Sequence, residues 1–314
     1  MTLSNKIPQY DANHYAVVDL GSNSFHLLIL RLHDNQLIQV NKIKQKVRLA
    51  AGLNEQFALN SESINAGLIC LSLFAQHLTT IPVGNIRIVA TATLRIAINR
   101  DIFLNKANKI LPLNIKLLSG EQEAETIYKG VAYTCKNYFD RKRLVIDIGG
   151  ASTELIIGER FTAHKVKSLN LGCVSFREKF FTNGQLTEEN FTNAINAASD
   201  IILPISTDFI TLGWQSVVGS SGTLQALAEI LTYRQQPIKI SSTFLQEIQV
   251  ELIKCKMIEA ISFEGLRSDR TAVLASGLCI LIALFNCLHI KELALSTGAL
   301  REGLLFEMLP NATY

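Results

Sequence analysis

A repeat inside the chain constrains its fold more than any other feature. The segment Val17–Ile29 reads VVDLGSNSFHLLI, and Val145–Ile157 reads VIDIGGASTELII. The two align without a gap: the aspartate, the first glycine and the last serine of the turn coincide, and every flanking apolar position matches an apolar one. Apolar runs on both sides of a small-residue turn predict a strand-turn-strand unit. Two copies predict two similar α/β domains with an interdomain cleft, a favoured place for ligands.

The order of the other elements supports this division. Strands and helices alternate up to about Leu118, a helix is predicted from Glu121, and the strand pattern restarts at Arg143. Mostly helical patterns follow the second set of strands. We therefore predict a first domain over residues 1–120 and a second over residues 121–314.

Composition narrows the class of protein. The chain has 314 residues, 48% of them hydrophobic, and a net charge of +3, which is too weak to indicate bulk binding of nucleic acid or membrane. Its six cysteines form no C-x-x-C pair, so neither a zinc site nor a disulfide scaffold is indicated. The N-terminal residues show no apolar leader segment, and we expect a cytoplasmic protein. The sequence leaves open whether the chain forms a homodimer.

One apolar segment has about the length of a membrane span. Thr271–Ile290 reads TAVLASGLCILIALFNCLHI and contains Asn286 and His289. A helix that is apolar on all sides is typical of one surrounded by protein. We predict a buried core helix here rather than a membrane span.

The two repeated turns are candidate phosphate sites. Their small side chains would let a ligand oxygen approach several backbone N–H groups, with hydroxyls as further donors. Ordinary hairpin turns are the alternative for either one alone. Asp19 and Asp147 enter the turns, and each could hold a hydrated Mg²⁺ that neutralises a polyanion. The turn residues are Gly21, Ser22, Asn23, Ser24, Gly149, Gly150, Ala151, Ser152 and Thr153.

Three further stretches could bind anions. The first is Gly219, Ser220, Ser221, Gly222 and Thr223, which precedes a helical run and would place N–H groups at a helix N-terminus. Arg95 follows a predicted strand, where it could offer a bidentate phosphate contact or simply lie on the surface. Lys42, Lys44, Lys46 and Arg48 alternate with other residues, so a strand would show all four cations on one face. That face could contact phosphates or protect a sheet edge.

The stretch SGEQEAE, residues 119–125, reads as a helix start. Acidic residues in a first turn are ordinary, because the helix dipole favours them there. The pattern by itself therefore gives Glu123 no catalytic role.

Seven motifs in series resemble the exopolyphosphatase and guanosine pentaphosphate phosphohydrolase family, which has the actin-like, ribonuclease H-like fold. They are DLGSNSFHLLILR, ATATLR, SGEQEAE, VIDIGGASTEL, LNLGCVSF, GSSGT and ALREGLL, in the expected order between about Tyr15 and Leu309. KIKQKVRLAAGLN and DIGGASTE are closer to the guanosine pentaphosphate branch. The longer members continue into a C-terminal helical domain, which we expect this chain to lack.

The resemblance implies roles for individual residues. Glu123 would be the general base for the attacking water, and Glu154 would support the water or the metal. Arg95 and the three glycine-containing stretches would bind phosphates, and Arg31 and Arg270 are candidates for the nucleotide end. The implied reaction converts guanosine pentaphosphate to guanosine tetraphosphate with Mg²⁺, and extends to short polyphosphate.

Three alternatives remain at the level of sequence. The chain could act mainly on inorganic polyphosphate, or it could be a non-catalytic sensor of the nucleotide or of polyphosphate. It could also be an ATP-dependent kinase or ATPase of the same fold, although the sequence shows no adenosine pocket or catalytic aspartate of that kind.

Overall fold

The protein consists of two compact units. The computed structural model describes residues 9–135 and 140–314. Unit 1 comprises Met1–Ser119 and Gly303–Tyr314, and unit 2 comprises Gly120–Glu302. The predicted boundary is one residue away, but the prediction placed residues 303–314 in the second domain. They belong to unit 1, because the Leu37 N–H donates to the Thr313 carbonyl (2.8 Å) and the Thr313 N–H donates to the Asn35 carbonyl (2.8 Å).

In the described residues 9–119, unit 1 contains a five-stranded sheet and three α-helices. Its strands lie in the order β3-β2-β1-β4-β5. The elements are β1 (His14–Leu20), β2 (Phe25–His33), β3 (Gln36–Gln45), α1 (Ser61–Leu78), β4 (Ile86–Ala90), α2 (Ala92–Ile96), α3 (Arg100–Ala107) and β5 (Lys116–Leu117).

Unit 2 contains a six-stranded sheet in the order β10-β11-β9-β6-β7-β8. Its elements are α4 (Gly120–Thr134), β6 (Arg143–Ile148), β7 (Thr153–Glu159), β8 (Thr162–Leu169), α5 (Cys173–Phe180), α6 (Glu188–Leu212), β9 (Ser216–Ser220), α7 (Gly222–Tyr233), β10 (Lys239–Ser241), α8 (Ser242–Cys255), α9 (Leu274–Leu288) and β11 (Glu292–Leu295). A last helix, α10 (Leu300–Met308), runs across the division between the units.

The two sheets repeat one arrangement. In unit 1, β1 pairs antiparallel with β2 and parallel with β4. In unit 2, β6 pairs antiparallel with β7 and parallel with β9. The first strand in each case ends at a turn, Gly21–Ser24 or Gly149–Ser152, and the parallel neighbour leads into a helix. The internal repeat therefore predicted the architecture of both units.

Continuous apolar runs explain why these strands are central. Val17 and Val18 on β1, and Leu27 and Leu28 on β2, are at most 1% exposed although successive side chains point to opposite faces. A sheet buried on both faces needs such runs. β3 is different, because it lies at the sheet edge and most of its side chains are at least partly exposed.

The predicted row of four cations is only partly formed. Lys42 and Lys44 are exposed on β3, which fits the protection of a sheet edge. The strand ends at Gln45, so Lys46 and Arg48 lie beyond it. Arg48 has a left-handed backbone (φ 55°), which no strand residue has.

The apolar segment near the C-terminus is a core helix, as predicted. Within the described residues, Thr271–Leu288 is long and apolar enough to span a membrane, and 78% of it is buried inside the protein. Its α-helical part, α9, packs against α5, α6, α7 and α8.

Candidate active site

The two repeated turns have the same backbone geometry. Leu20 pairs with Phe25 across turn 1 (Gly21–Ser24), and Ile148 pairs with Thr153 across turn 2 (Gly149–Ser152). A Cβ atom on Gly21 would lie 2.9 Å from the Ser24 carbonyl oxygen, and one on Gly149 would lie 3.0 Å from the Ser152 carbonyl oxygen. Both turns are therefore too tight at the first position for a side chain.

In turn 1, the carbonyl oxygen atoms accept hydrogen bonds from a later segment. The Ala50 N–H donates to the Ser22 carbonyl (2.9 Å), and the Arg48 N–H donates to the Asn23 carbonyl (2.9 Å). Free carbonyl oxygen atoms would repel a phosphate. These bonds engage them and fix the backbone of the turn.

Turn 2 is held in the same way by the start of α5. The Cys173 N–H donates to the Gly149 carbonyl (2.9 Å), and the Val174 N–H donates to the Gly150 carbonyl (2.8 Å). Gly172 makes this approach possible, because a Cβ atom there would lie 2.3 Å from the Ala151 nitrogen. The motif LNLGCVSF therefore shapes turn 2.

Buried hydroxyl groups without partners cluster in the predicted phosphate motifs. Among the described residues, five hydroxyl oxygen atoms are buried and make no hydrogen bond within the protein, and four of them lie in these motifs: Ser24, Thr93, Ser220 and Thr223, with Tyr128 outside them. Ser24 belongs to turn 1, Thr93 to ATATLR and Ser220 to GSSGT. An unsatisfied buried polar group costs about 1–3 kcal/mol, so these hydroxyls are suited to donate to a bound anion.

The third stretch, Gly219–Thr223, joins β9 to α7. Ser221 has a strained backbone (φ 141°), and its hydroxyl accepts from the Leu224 N–H at 3.4 Å. The Arg270 guanidinium donates to the Gly222 carbonyl (2.8 Å), so this arginine lies beside the motif. Strained backbone of this kind clusters at ligand sites.

Some predicted phosphate residues have structural roles instead. The Thr153 hydroxyl donates to the Leu171 carbonyl (2.6 Å) and the side chain is 0% exposed. A Cβ atom on Gly219 would lie 2.3 Å from a Leu224 methyl group, so this glycine serves packing. The Thr153 hydroxyl and Gly219 therefore hold the turns in place.

Helix α9 supports both glycine motifs of unit 2. The Ser276 hydroxyl donates to the Cys173 carbonyl at 2.6 Å, which anchors the segment behind turn 2. A Cβ atom on Gly277 would lie 2.2 Å from the Thr223 hydroxyl, so α9 approaches α7 closely at this point. Sequence reasoning missed both residues, although two small residues interrupt an otherwise large-apolar run.

Both glutamates with a predicted catalytic role are buried in unit 2, as is Glu302. Glu123, in the first turn of α4, is 7% exposed, and Glu154, near the start of β7, is 1% exposed. The Ser168 hydroxyl on β8 donates to a Glu154 carboxylate oxygen at 2.8 Å. Helix α4 packs against β7 and β8, with the Tyr128 ring over Gly158. Carboxylates are seldom buried this far without a partner or a function.

The aspartates before the turns are suited to a divalent cation. Asp19 and Asp147 are matched, half-buried residues one position before the ends of β1 and β6. Within the described residues, no group of three or more His, Cys, Asp or Glu side chains could hold a metal without other ligands. Mg²⁺ commonly takes one or two carboxylates and completes its shell with water and substrate phosphates. The residues present fit a cation of that kind.

The two predicted arginines of unit 1 lie in different places. Arg95, in α2, is half-buried and donates to the Leu118 carbonyl (3.0 Å). Arg31 pairs with His14, at the end of the β1–β2 hairpin away from turn 1. At about 3.3 Å per residue, that is roughly 20 Å from the turn. The structure therefore does not bring Arg31 to turn 1; the residue beside the turn is His26, opposite Asp19.

The thiol beside turn 2 is not a nucleophile. Burial raises the pKa of Cys173 to about 12. The thiolate is the reactive form of cysteine, so this side chain stays protonated and inert near neutral pH.

A family model settles the relationship. The model described as the Ppx/GppA phosphatase family matches residues 28–312. The chain belongs to this family. The resemblance read from the seven motifs is therefore confirmed.

Close relatives carry one name. A guanosine-5'-triphosphate,3'-diphosphate pyrophosphatase of Vibrio atlanticus is 51% identical over 94% of this chain and 59% of its own length. The Vibrio cholerae protein of the same name has the same identity and coverage. The chain thus spans less than two thirds of the length of these relatives.

Solved structures share the fold. An exopolyphosphatase from Cytophaga hutchinsonii superposes with a TM-score of 0.85 at 22% identity, covering 96% of this chain and 99% of that one. A Ppx/GppA family member from Aquifex aeolicus gives 0.76 at 24% identity, covering 95% and 97%. These identities bear on fold alone, and they confirm the predicted α/β class with two actin-like domains.

Two glycine substitutions should separate structural support from ligand contact. Gly172→Ala places a methyl group against the turn 2 backbone, so the free energy of unfolding should fall by about 1–3 kcal/mol and activity should fall with it.

In Gly222→Ala the added methyl group meets no atom within 4 Å, so the free energy of unfolding should change by less than about 0.5 kcal/mol. Its substrate KM should nevertheless rise, because only a ligand would meet the methyl group. Urea unfolding and steady-state kinetics measure both; a Gly222→Ala protein with unchanged KM would remove this motif from the site.

Proposed function

We propose that the chain is a phosphoanhydride hydrolase that removes the 5′ terminal phosphate of guanosine pentaphosphate, leaving guanosine tetraphosphate. The observation that carries the proposal is the occurrence of buried Glu123 and Glu154 in the same unit as turn 2, in a chain about half identical to pyrophosphatases named for this nucleotide. The engaged carbonyls of both turns and the unpartnered hydroxyl of Ser24 in turn 1 support the binding of phosphates.

The reaction requires little covalent help from the protein. A water oxygen attacks the terminal phosphorus, the Glu123 carboxylate takes the water proton, and the bond to the bridging oxygen breaks. The electron pair of that bond stays on the shortened nucleotide. Phosphoryl transfer passes through a loose transition state, so positioning and charge neutralisation supply most of the rate. The hydrogen bond from Ser168 fixes Glu154, which we propose orients the water.

A divalent cation fits this scheme. Asp19 and Asp147 could each hold a hydrated cation beside its own turn, and such a cation would neutralise phosphate charge. Without a cation, carboxylates near the phosphates would repel them. We propose Mg²⁺ because its preference for carboxylate, water and phosphate oxygen matches these ligands.

The remaining assignments follow from the site. The substrate class is a polyphosphorylated nucleotide, with short polyphosphate as a second substrate. We assign phosphate contacts to turns 1 and 2, to Ser220, Ser221 and Gly222, and to Arg95. Arg270 is proposed for the nucleotide end because it lies beside Gly222. A cytoplasmic location fits a nucleotide substrate.

The general base can be tested by substitution. Glu123→Gln keeps the size of the side chain but cannot accept the water proton, so kcat should fall by about 10²- to 10⁴-fold. Substrate affinity should stay within a few-fold. Glu121→Gln, an exposed residue of the same helical turn, is the matched control and should keep normal kcat. Near-normal turnover by Glu123→Gln would move the base elsewhere, with Glu154 the next candidate.

Metal removal provides a second test. Exhaustive chelation should abolish phosphate release, and added Mg²⁺ should restore it. Bound Mg²⁺ would offset the repulsion between the Asp19 and Asp147 carboxylates and the substrate phosphates. The melting temperature without substrate should stay nearly constant, which separates a catalytic requirement from unfolding. Full activity in the chelated protein would contradict the assignment of Asp19 and Asp147.

Substrate choice tests the reaction itself. We expect a higher kcat/KM for guanosine pentaphosphate than for polyphosphates. For polyphosphates, kcat/KM should fall as the chain lengthens to hundreds of phosphates. Phosphate release should be measured on each substrate side by side, at low and moderate salt. Efficiency that rises with chain length would show an exopolyphosphatase. Tight binding without phosphate release would show a sensor, and phosphorylation of a sugar by ATP would show a kinase.

A further inference from the structure

Arg48 combines a strained backbone with a position beside turn 1. Its φ and ψ of 55° and 41° are left-handed, a conformation unfavourable for residues other than glycine and, to a smaller extent, asparagine or aspartate. Its N–H donates to the Asn23 carbonyl at 2.9 Å. A residue held this way in a functional region is often retained for its side chain.

The flanking residues direct the side chain outward. Val47 is 7% exposed and Leu49 is 0% exposed, so the chain is anchored in the core on both sides of Arg48. The Arg48 side chain is exposed. Among the described residues it has no ion-pair partner, and its charge is therefore available to a ligand.

Unit 2 provides the comparison. There, the N–H groups of Cys173 and Val174 hold the carbonyls of turn 2, and they open the eight-residue helix α5. A helix N-terminus carries positive partial charge. In unit 1 the Ala50 N–H holds the Ser22 carbonyl, which matches Gly150, and the Arg48 N–H adds a bond to the Asn23 carbonyl. Only a four-residue 3₁₀ turn (Leu49–Gly52) follows, which is too short to supply the same field. Arg48 directly precedes this turn and carries a full positive charge.

We propose that Arg48 binds the phosphate groups held at turn 1, through charge-assisted hydrogen bonds from its guanidinium. This inference rests on the proposed function, because it takes the polyphosphate chain of that substrate as the ligand. The planar fork of arginine suits paired phosphate oxygen atoms. The left-handed backbone is maintained because the arginine charge is needed at the turn.

Because the Arg48 backbone is left-handed, a substitution there should affect stability and ligand binding in opposite directions. Asparagine tolerates the left-handed region better than arginine, so Arg48→Asn should raise the melting temperature by about 1–3 °C or leave it unchanged. It should weaken binding of guanosine pentaphosphate, and of inorganic tripolyphosphate with Mg²⁺, by about tenfold or more. Arg48→Lys keeps the charge and should keep most of the affinity. Calorimetry on the full chain carrying Glu123→Gln measures binding without turnover.

Arg160 is a matched control. It is an exposed arginine with φ 52° in the turn between β7 and β8, at the end of β7 away from turn 2, and its Nε lies 2.8 Å from an Asp140 oxygen. Arg160→Asn should raise the melting temperature similarly and leave both dissociation constants within twofold. An exposed ion pair contributes little to stability.

The outcomes separate this inference from the proposed function. Normal binding by Arg48→Asn, an equal loss in Arg160→Asn, or a marked fall in the melting temperature of Arg48→Asn would overturn the role of Arg48. If the wild type releases phosphate and Arg48→Asn binds normally, only this inference fails. If the wild type binds tripolyphosphate through Arg48 but hydrolyses neither substrate, the binding role stands and the proposed function fails.

Discussion

The rest of the site depends on hydrogen bonds between each hairpin turn and a later segment of the same unit. In unit 2, Gly172 lets the first residues of α5 reach the carbonyls of turn 2. The Ser276 hydroxyl on α9 holds the first residue of α5 in place by a hydrogen bond to the Cys173 carbonyl. In unit 1, residues 48–50 play the same part for turn 1. A tight turn with engaged carbonyls is a rigid anion site, because no backbone rearrangement is needed when the ligand arrives. Helix α9 is therefore more than a core helix, because it helps to hold turn 2 in place.

The two units share one strand arrangement but carry different side chains beside their matched aspartates. The cross-strand neighbours of Asp19 in unit 1 are His26 and then Lys44, and those of Asp147 in unit 2 are Glu154 and then Ser168. Directly opposite residues share one face of a sheet. Unit 1 thus places basic side chains beside its aspartate, whereas unit 2 places a second carboxylate fixed by a hydroxyl. The proposed activation of water in unit 2 fits this difference.

Much of the fold could be predicted from the sequence, because the apolar frames and turn residues are local signals. The repeat predicted both hairpins, and the all-apolar run at 271–290 predicted a core helix, since burial leaves no need for a polar face. The alternation of cations with other residues predicts a strand over residues 42–48, but the strand ends at Gln45. Nothing in this pattern indicates the left-handed backbone of Arg48. The roles of residues 303–314 and of Ser276 depend on contacts between distant segments, which spacing along one chain does not encode. Catalytic roles for the glutamates came from the family resemblance, and they stay predictions.

Every proposed catalytic role depends on one step, the attack of water on the terminal phosphorus of guanosine pentaphosphate. Hydrolysis in ¹⁸O-labelled water, followed by mass spectrometry of both products, identifies the phosphorus that is attacked. We expect the label in the released inorganic phosphate and none in guanosine tetraphosphate. Label in the nucleotide would place the attack on a different phosphorus, and the absence of any released phosphate would contradict the assignment of this chain as a hydrolase.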